Sequence, residues 1–350
     1  MRGRVRVGVS ILCCLFSLMG VSCIAATEEK ILNIYVWSEY VPDHIIQQFE
    51  RETGIRINHS TYLNNESLYA KLEGNPEAPY DIIMPSSYAI NRMRTHGLIQ
   101  AIDLRKIPNK RHLNPLLLGG EHDPENQYSL PYLWHSTGIV LNTRYHAAGA
   151  IKSWSDLWQA SYKDQLFILD DAREIFSMAL LRLGESVNTQ KTEVIEAAYQ
   201  KLRGLLANVK LFNTDGQQTI YLDEDMTVGM AWSGDIYRAH LGNPHLSWIY
   251  PREGFIISLD TIAIPRGAKH VENAHTFINF ICRPDIAKEL SLFTGFSSPN
   301  IGALSLMPDD VRQNPILYPD QETMQKGFLL RDVDKAVAIY EKYYELLKLE

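Results

Sequence analysis

The chain has 350 residues, of which 45% are hydrophobic and 21% charged, a globular composition that excludes a disordered or fibrous protein. That length supports a large core, and usual domain sizes divide it between two lobes. The formal net charge of −7 argues against nucleic acid as a partner and favours cations.

Arg2, Arg4 and Arg6 precede an apolar run over 7–21 and a small-residue stretch over 22–26. This three-part form predicts a secretory signal peptide over 1–26, with cleavage near Ala25 or Ala26. The run is short for a membrane anchor, and nothing later resembles a second span. A lipidated Cys23 is the alternative, disfavoured by Gly20 where such sites prefer Leu. Removal of the segment leaves 41 acids against 31 bases, a net charge of −10. It also removes Cys13, Cys14 and Cys23, so Cys282 is left alone and neither an intramolecular disulfide nor a thiolate metal cluster is expected. The eleven histidines are scattered without paired ligand spacing, and no cofactor or metal is expected.

Residues 32–37 form an apolar, β-prone run. A helix follows over 43–52, with Ile45, Ile46 and Phe49 on one face and a stop at Thr53-Gly54, and then a strand over 55–60. The right-handed crossover of such a unit implies a parallel sheet. A helix over 65–72, a buried strand over 80–84 and a helix carrying 89–95 continue the alternation of an open doubly wound α/β sheet. Ligands bind such sheets at the carboxyl ends of the strands. Trp37-Ser38-Glu39-Tyr40 and Ser86-Ser87-Tyr88 both stand there. Each also has a structural use: Glu39 suits a helix dipole, Ser86 a cap, and Trp37 and Tyr40 a core. Their shared location favours a site.

Residues 103–127, rich in Pro, Asn, Gly and charge, read as a surface connection. A strand over 129–142 opens a second α/β unit, with a helix near 155–159, a strand over 165–169 and a helix over 172–183. At its start Asp171 is a natural N-cap, and Glu174, three residues on, completes a capping box. An amphipathic helix over 191–206 and strands over 209–212 and 226–232 follow, the last ending in Trp232-Ser233-Gly234-Asp235. The strand over 255–264 is interrupted by Asp260, and a carboxylate in so apolar a run is strongly unfavourable unless paired. Helices over 274–281 and 284–292, a loop over 297–307 and a long helix over 332–348 close the chain.

Three stretches carry a family likeness: Trp37-Ser38-Glu39-Tyr40-Val41-Pro42, Asp170-Asp171-Ala172-Arg173-Glu174, and 254–265 with its Asp260. In that order and spacing the chain resembles the periplasmic spermidine/putrescine-binding proteins of polyamine ABC transporters, over nearly all of the mature sequence. The resemblance implies a two-lobed α/β fold, each lobe an open, mostly parallel sheet flanked by helices, with a ligand cleft between. It places the N-terminal lobe at 30–138 plus 262–304 and the C-terminal lobe at 139–261 plus 305–350. Chain crossings fall near 136–142, 258–264 and 303–307. It further implies a monomer in the periplasm that delivers a polyamine to membrane permease subunits, without catalysis.

Matched residue by residue, the family's binding positions fall on Trp37, Ser38, Glu39, Tyr40, Ser86, Tyr88, Asp171, Glu174, Trp232 and Asp260. Three positions depart from the spermidine binders: Ser258 replaces a tryptophan, Phe296 a cleft tyrosine, and Leu330 a late glutamine. Asp235 stands where putrescine-selective relatives carry an acid. The mixture leaves the particular polyamine open.

These residue types suit a polyamine, a flexible apolar chain with ammonium groups at intervals. Carboxylates make charge-assisted hydrogen bonds to the ammonium protons, and Trp37, Tyr40, Tyr88 and Trp232 can cover methylenes and offer π faces to cations. Two other readings are weighed against this one. A receptor for another small solute, such as an amino acid, shares the fold. An exported hydrolase with two carboxylates also lines its site with acids and aromatic residues, but neither a nucleophile elbow nor a metal motif is seen.

Overall fold

The computed structural model describes Gly3 and residues 28–350; the predicted signal segment and Cys23 lie outside the described residues. β1 (Ile31–Trp37) buries Leu32, Ile34 and Val36 completely. α1 (Asp43–Thr53) turns Ile45 and Phe49 into the core and stops at Gly54, whose φ of 71° is left-handed, a conformation only glycine adopts without strain. β2 (Arg56–Tyr62) pairs with β1 in parallel, from Ile31 opposite Arg56 to Trp37 opposite Tyr62. α2 (Asn65–Gly74) is capped by Asn64. β3 (Ile82–Ile83) runs parallel to β1 on its other side and leads into α3 (Ser87–Thr95). The expected alternation therefore holds in this half, and the short β4 (Ile99–Gln100) ends it.

The connection that follows contains three 3-10 turns, between Leu104 and Leu117. Its end is fixed by buried Asp123, which accepts the backbone N–H groups of Gln127, Tyr128 and Ser129. β5 (Ser129–Asn142) is the longest strand described. The second unit contains β6 (Leu166–Ile168), α4 (Ala172–Leu183), α5 (Thr192–Arg203) and β7 (Val209–Phe212). α6 (Gln217–Leu222), β8 (Val228–Trp232), α7 (Ser233–Gly242), β9 (Leu246–Ile249) and β10 (Phe255–Pro265) come next. The chain ends with α8 (Val271–Ile281), α9 (Pro284–Thr294), α10 (Ile301–Leu306), α11 (Asp309–Arg312), α12 (Gln321–Met324), β11 (Gly327–Leu329) and α13 (Val337–Lys348).

The sheet runs β2-β1-β3-β10-β5-β8-β6-β7, with β4 and β11 on β10 and β9 on β5. Its two flanks, β2-β1-β3 and β8-β6-β7, are parallel. The pairs β3–β10, β10–β5 and β5–β8 are antiparallel. Two α/β lobes are thus joined through β10, which pairs with β3 of one flank, and β5, which pairs with β8 of the other, the two strands pairing with each other. One core gathers Ile34, Phe49 and Phe277; the other gathers Phe167, Phe176 and Tyr340.

Three expectations are corrected. The predicted loop over 297–307 contains α10, whose first turn is capped by the Asn300 side chain on Ala303 N–H; six residues are too few to show a helical period. The helix near 155–159 is a 3-10 turn, Trp154–Trp158. The closing helix starts at Val337, after Asp334 takes a left-handed φ of 53°.

Candidate functional site

A cavity of about 260 Å³ lies between the lobes, and the ten matched binding positions, Asp235 and the three departures Ser258, Phe296 and Leu330 all line it. β1 ends at Trp37, β2 at Tyr62 and β8 at Trp232, while Ser86 and Asp171 follow β3 and β6 closely. The carboxyl ends of the parallel strands therefore meet at the cleft from both sides. The floor is one face of the crossing sheet. Ser258 pairs opposite His135, and Thr137 opposite Trp232. Because residues two apart and residues directly across share a face, His135, Thr137, Trp232, Ser258 and Asp260 project together.

Asp260 is 1% exposed. Beside it the register slips, Asp260 facing Leu133 but Thr261 facing Pro131. Tyr132 is left unpaired, a bulge beside a proline that has no N–H to donate. The Tyr40 hydroxyl donates to Asp260 Oδ2 at 2.5 Å and the Ser86 hydroxyl to Oδ1 at 2.7 Å. Asn65 holds this cradle, accepting the Ser86 N–H at 3.0 Å and donating to Ser86 Oγ at 3.1 Å and to the Tyr88 hydroxyl at 2.8 Å. Burial pushes the Asp260 carboxyl up to about 6, against the opposing hydrogen bonds of Tyr40 and Ser86. His135 Nε2 is 3.8 Å from it, but burial pushes that imidazole down to about 3, so the histidine is neutral and gives the carboxylate no countercharge.

At the start of α4, Asp171 caps the helix by accepting the Glu174 N–H at 3.0 Å. The reciprocal half of the predicted capping box is not made. Glu174, 3% exposed, points away from its own backbone to β10, where Oε1 accepts the Ser258 hydroxyl at 3.3 Å. Burial first, and then the Asp171 charge, push its carboxyl up to about 8. Asp171 is raised as well, by burial, with the Glu174 N–H and Arg173 pulling it back.

In the first turn of α7, Asp235 is pushed up to about 7 by burial, while the nearby Arg238 pulls it down. Ser38 and Glu39 stand at the mouth. Glu39 is 71% exposed and 3.8 Å from the Arg238 guanidinium, with a left-handed φ of 56°. It lines the rim, not the interior.

Aromatic rings form the walls. The Trp37 indole is fixed by donation to the Met84 carbonyl at 2.9 Å and lies 4.9 Å from Tyr62. Phe296 sits 5.9 Å from Tyr40 and 6.5 Å from Trp232, with the His135 ring 5.0 Å away. Tyr62, Asn65, His135, Asp215, Arg238 and Thr294 also line the cavity and were not anticipated. Asn65 follows the carboxyl end of β2 and so carried a positional signal.

Two α/β lobes with crossing strands, and an anionic cleft walled by aromatic residues between them, define a solute-binding protein. The profile of the family described as bacterial extracellular solute-binding protein matches residues 44–319, and the chain belongs to that family. It is 42% identical over 330 residues to the spermidine/putrescine-binding periplasmic protein of Salmonella typhimurium, covering 94% of this chain and 95% of the relative. It is 30% identical over 341 residues to the putrescine-binding periplasmic protein PotF of Escherichia coli, covering 92% of each. Among solved structures, a putative spermidine/putrescine ABC transporter from Listeria monocytogenes superposes with a TM-score of 0.87 at 30% identity, covering 91% of this chain and 99% of that one.

Proposed function

We propose that this protein is the substrate-binding component of an ABC importer, which captures a polyamine in the periplasm and presents it to membrane permease subunits. It acts as a monomer and as a carrier, not as an enzyme. The observation that carries the reading is the pair of buried acids, Asp260 and Glu174, cradled by hydroxyl donors in an aromatic cleft. A buried carboxylate without a countercharge is unfavourable, and a ligand ammonium removes that penalty. Asp260, Glu174, Asp171 and Asp235 face the ammonium groups, with Glu39 adding charge at the mouth. Trp37, Tyr40, Tyr88, Trp232 and Phe296 cover the methylenes, and Ser38 and Ser86 supply neutral polar contacts. The lobes divide as 30–138 plus 262–304 and 139–261 plus 305–350.

The relatives that bind spermidine and putrescine support this reading, and the acid-rich cleft disfavours an amino acid, whose own carboxylate would be repelled. Thermal shift across putrescine, spermidine, spermine and a set of amino acids tests it. Stabilisation by at least one polyamine is expected; stabilisation by an amino acid and by no polyamine overturns it.

A further inference from the structure

Around Glu174, three buried polar atoms lack a hydrogen bond: its own Oε2, the Thr137 hydroxyl and the Trp232 indole Nε1. Thr137 is completely buried and stands opposite Trp232 across β5 and β8. Both donors stand beside the Glu174 carboxyl, as Ser258 does. Two donors and one acceptor, complementary and unjoined, lie where the two lobes meet. The arrangement parallels the Asp260 cradle, in which Tyr40 and Ser86 already donate. Ser258 and Asp260 are two residues apart on one face, about 6–7 Å at the rise of a strand, so the two cradles stand side by side on β10.

We propose that Thr137 and the indole N–H of Trp232 are positioning residues for Glu174: as the cleft closes on a polyamine they donate to Oε2 while Ser258 donates to Oε1. The carboxylate is thereby held ionised with its free lone pairs turned to an ammonium group. The inference rests on the polyamine reading and adds a hydroxyl, Thr137, that touches no ligand. The other ionisable groups near Glu174 are Asp171 and Arg173 on α4, Asp260 on β10, His135 on β5, Tyr88 on α3, and Glu66 on α2, which faces Asp171. His135 stays neutral, and Tyr88 is pushed further up by burial. Asp171 is linked to Glu174 by their like charges, and Glu66 to Asp171, so the part of a difference that vanishes on Glu174→Gln is the part that reports Glu174.

The test is calorimetric titration of putrescine and spermidine from about pH 6 to about pH 9 with Thr137→Val, Thr137→Ser, Glu174→Gln and the Val/Gln double variant. Loss of a donor to an ionised acid raises its pKa, and one unit corresponds to about tenfold in affinity. Because these donors bond Glu174 only in the closed complex, Thr137→Val is expected to bind about tenfold more weakly wherever the bound acid is ionised, with the gap narrowing only as pH falls toward about 6. Thr137→Ser keeps the hydroxyl and should follow the parent curve, and Thr137→Val should add nothing to Glu174→Gln. A Thr137→Val loss that is absent, that widens as pH falls, or that is additive with Glu174→Gln overturns the inference and leaves the polyamine reading standing. If Val does not fold, a Thr137→Ser curve displaced from the parent at every pH overturns it instead. Absence of polyamine binding by the unaltered protein overturns both.

Discussion

Asp260 and Glu174 are opposed by their surroundings when the cleft is empty and favoured when a cation enters, and this asymmetry can be measured. Burial raises Glu174 to about 8, Asp235 to about 7 and Asp260 to about 6. An acid raised in the folded state stabilises the fold fully below its ordinary pKa, and that contribution is lost as pH rises through the raised value. The ligand-free protein should therefore lose thermal stability between about pH 5 and about pH 8. With a polyamine bound the sign reverses, because the ammonium groups favour the ionised acids. Affinity should fall as pH drops below about 8, and binding near pH 7 should release protons. Calorimetry in buffers of different ionisation enthalpy detects this; a binding heat independent of buffer would contradict it. Asp260→Asn separates the two effects at one residue. Losing the charge-assisted contact should weaken polyamine binding by about 2–5 kcal/mol. At pH 8 the ligand-free variant should melt no lower than the parent, because a buried charge has been removed.

At the scale of elements, helices that begin at the cleft deliver the acids: α4 brings Asp171 and Glu174, and α7 brings Asp235. The start of α7 also sets the position of a wall. A Cβ on Gly234 would lie 2.2 Å from Phe296 Cδ1, so Gly234→Ala must displace that ring. Overpacking of this kind costs about 1–3 kcal/mol; a lowered melting temperature together with weaker polyamine binding is expected, and calorimetry showing unchanged affinity would remove Phe296 from the site. β1, α1 and α4 were legible in the sequence because their apolar pattern runs for a full element, and the short β3 and β6 because they are apolar throughout. α6 and α10 have six residues, β9 four, β11 three and β4 two, too short to display a period. The acids were legible because charge at a strand end stands out against an apolar run. The orientation of Glu174 was not, because it depends on Ser258, 84 positions away. Local capping rules predict a return to its own backbone, and the tertiary partner prevails. His135 is invisible for the same reason: only the β5–β10 register places it beneath the cleft.

At the scale of the molecule, charge and topology act on one another. β10 pairs with β3 of one flank and β5 with β8 of the other, and Asp260 sits on β10 itself, so a central carboxylate lies on the crossing between the lobes. Carboxylates from the β8-β6-β7 side meet it there: Asp171 and Glu174 at the start of α4, and Asp235 from α7. Without a cation, ionised acids brought together in a closed cleft repel one another, and the open state is favoured; a bound polyamine reverses the balance. The Glu39–Arg238 pair at the rim is the competing explanation for closure, but it is partly exposed, 3.8 Å apart, and worth about 0–1 kcal/mol. Small-angle X-ray scattering discriminates between the two. The ligand-free protein at pH 8 should have a larger radius of gyration than the polyamine complex. Asp260→Asn combined with Glu174→Gln should move the ligand-free radius toward that of the complex, while Arg238→Ala should leave both radii as they are. If Arg238→Ala opens the complex and the neutralised variant does not contract, closure is governed at the rim and the charge on the crossing strand serves only to hold the ligand.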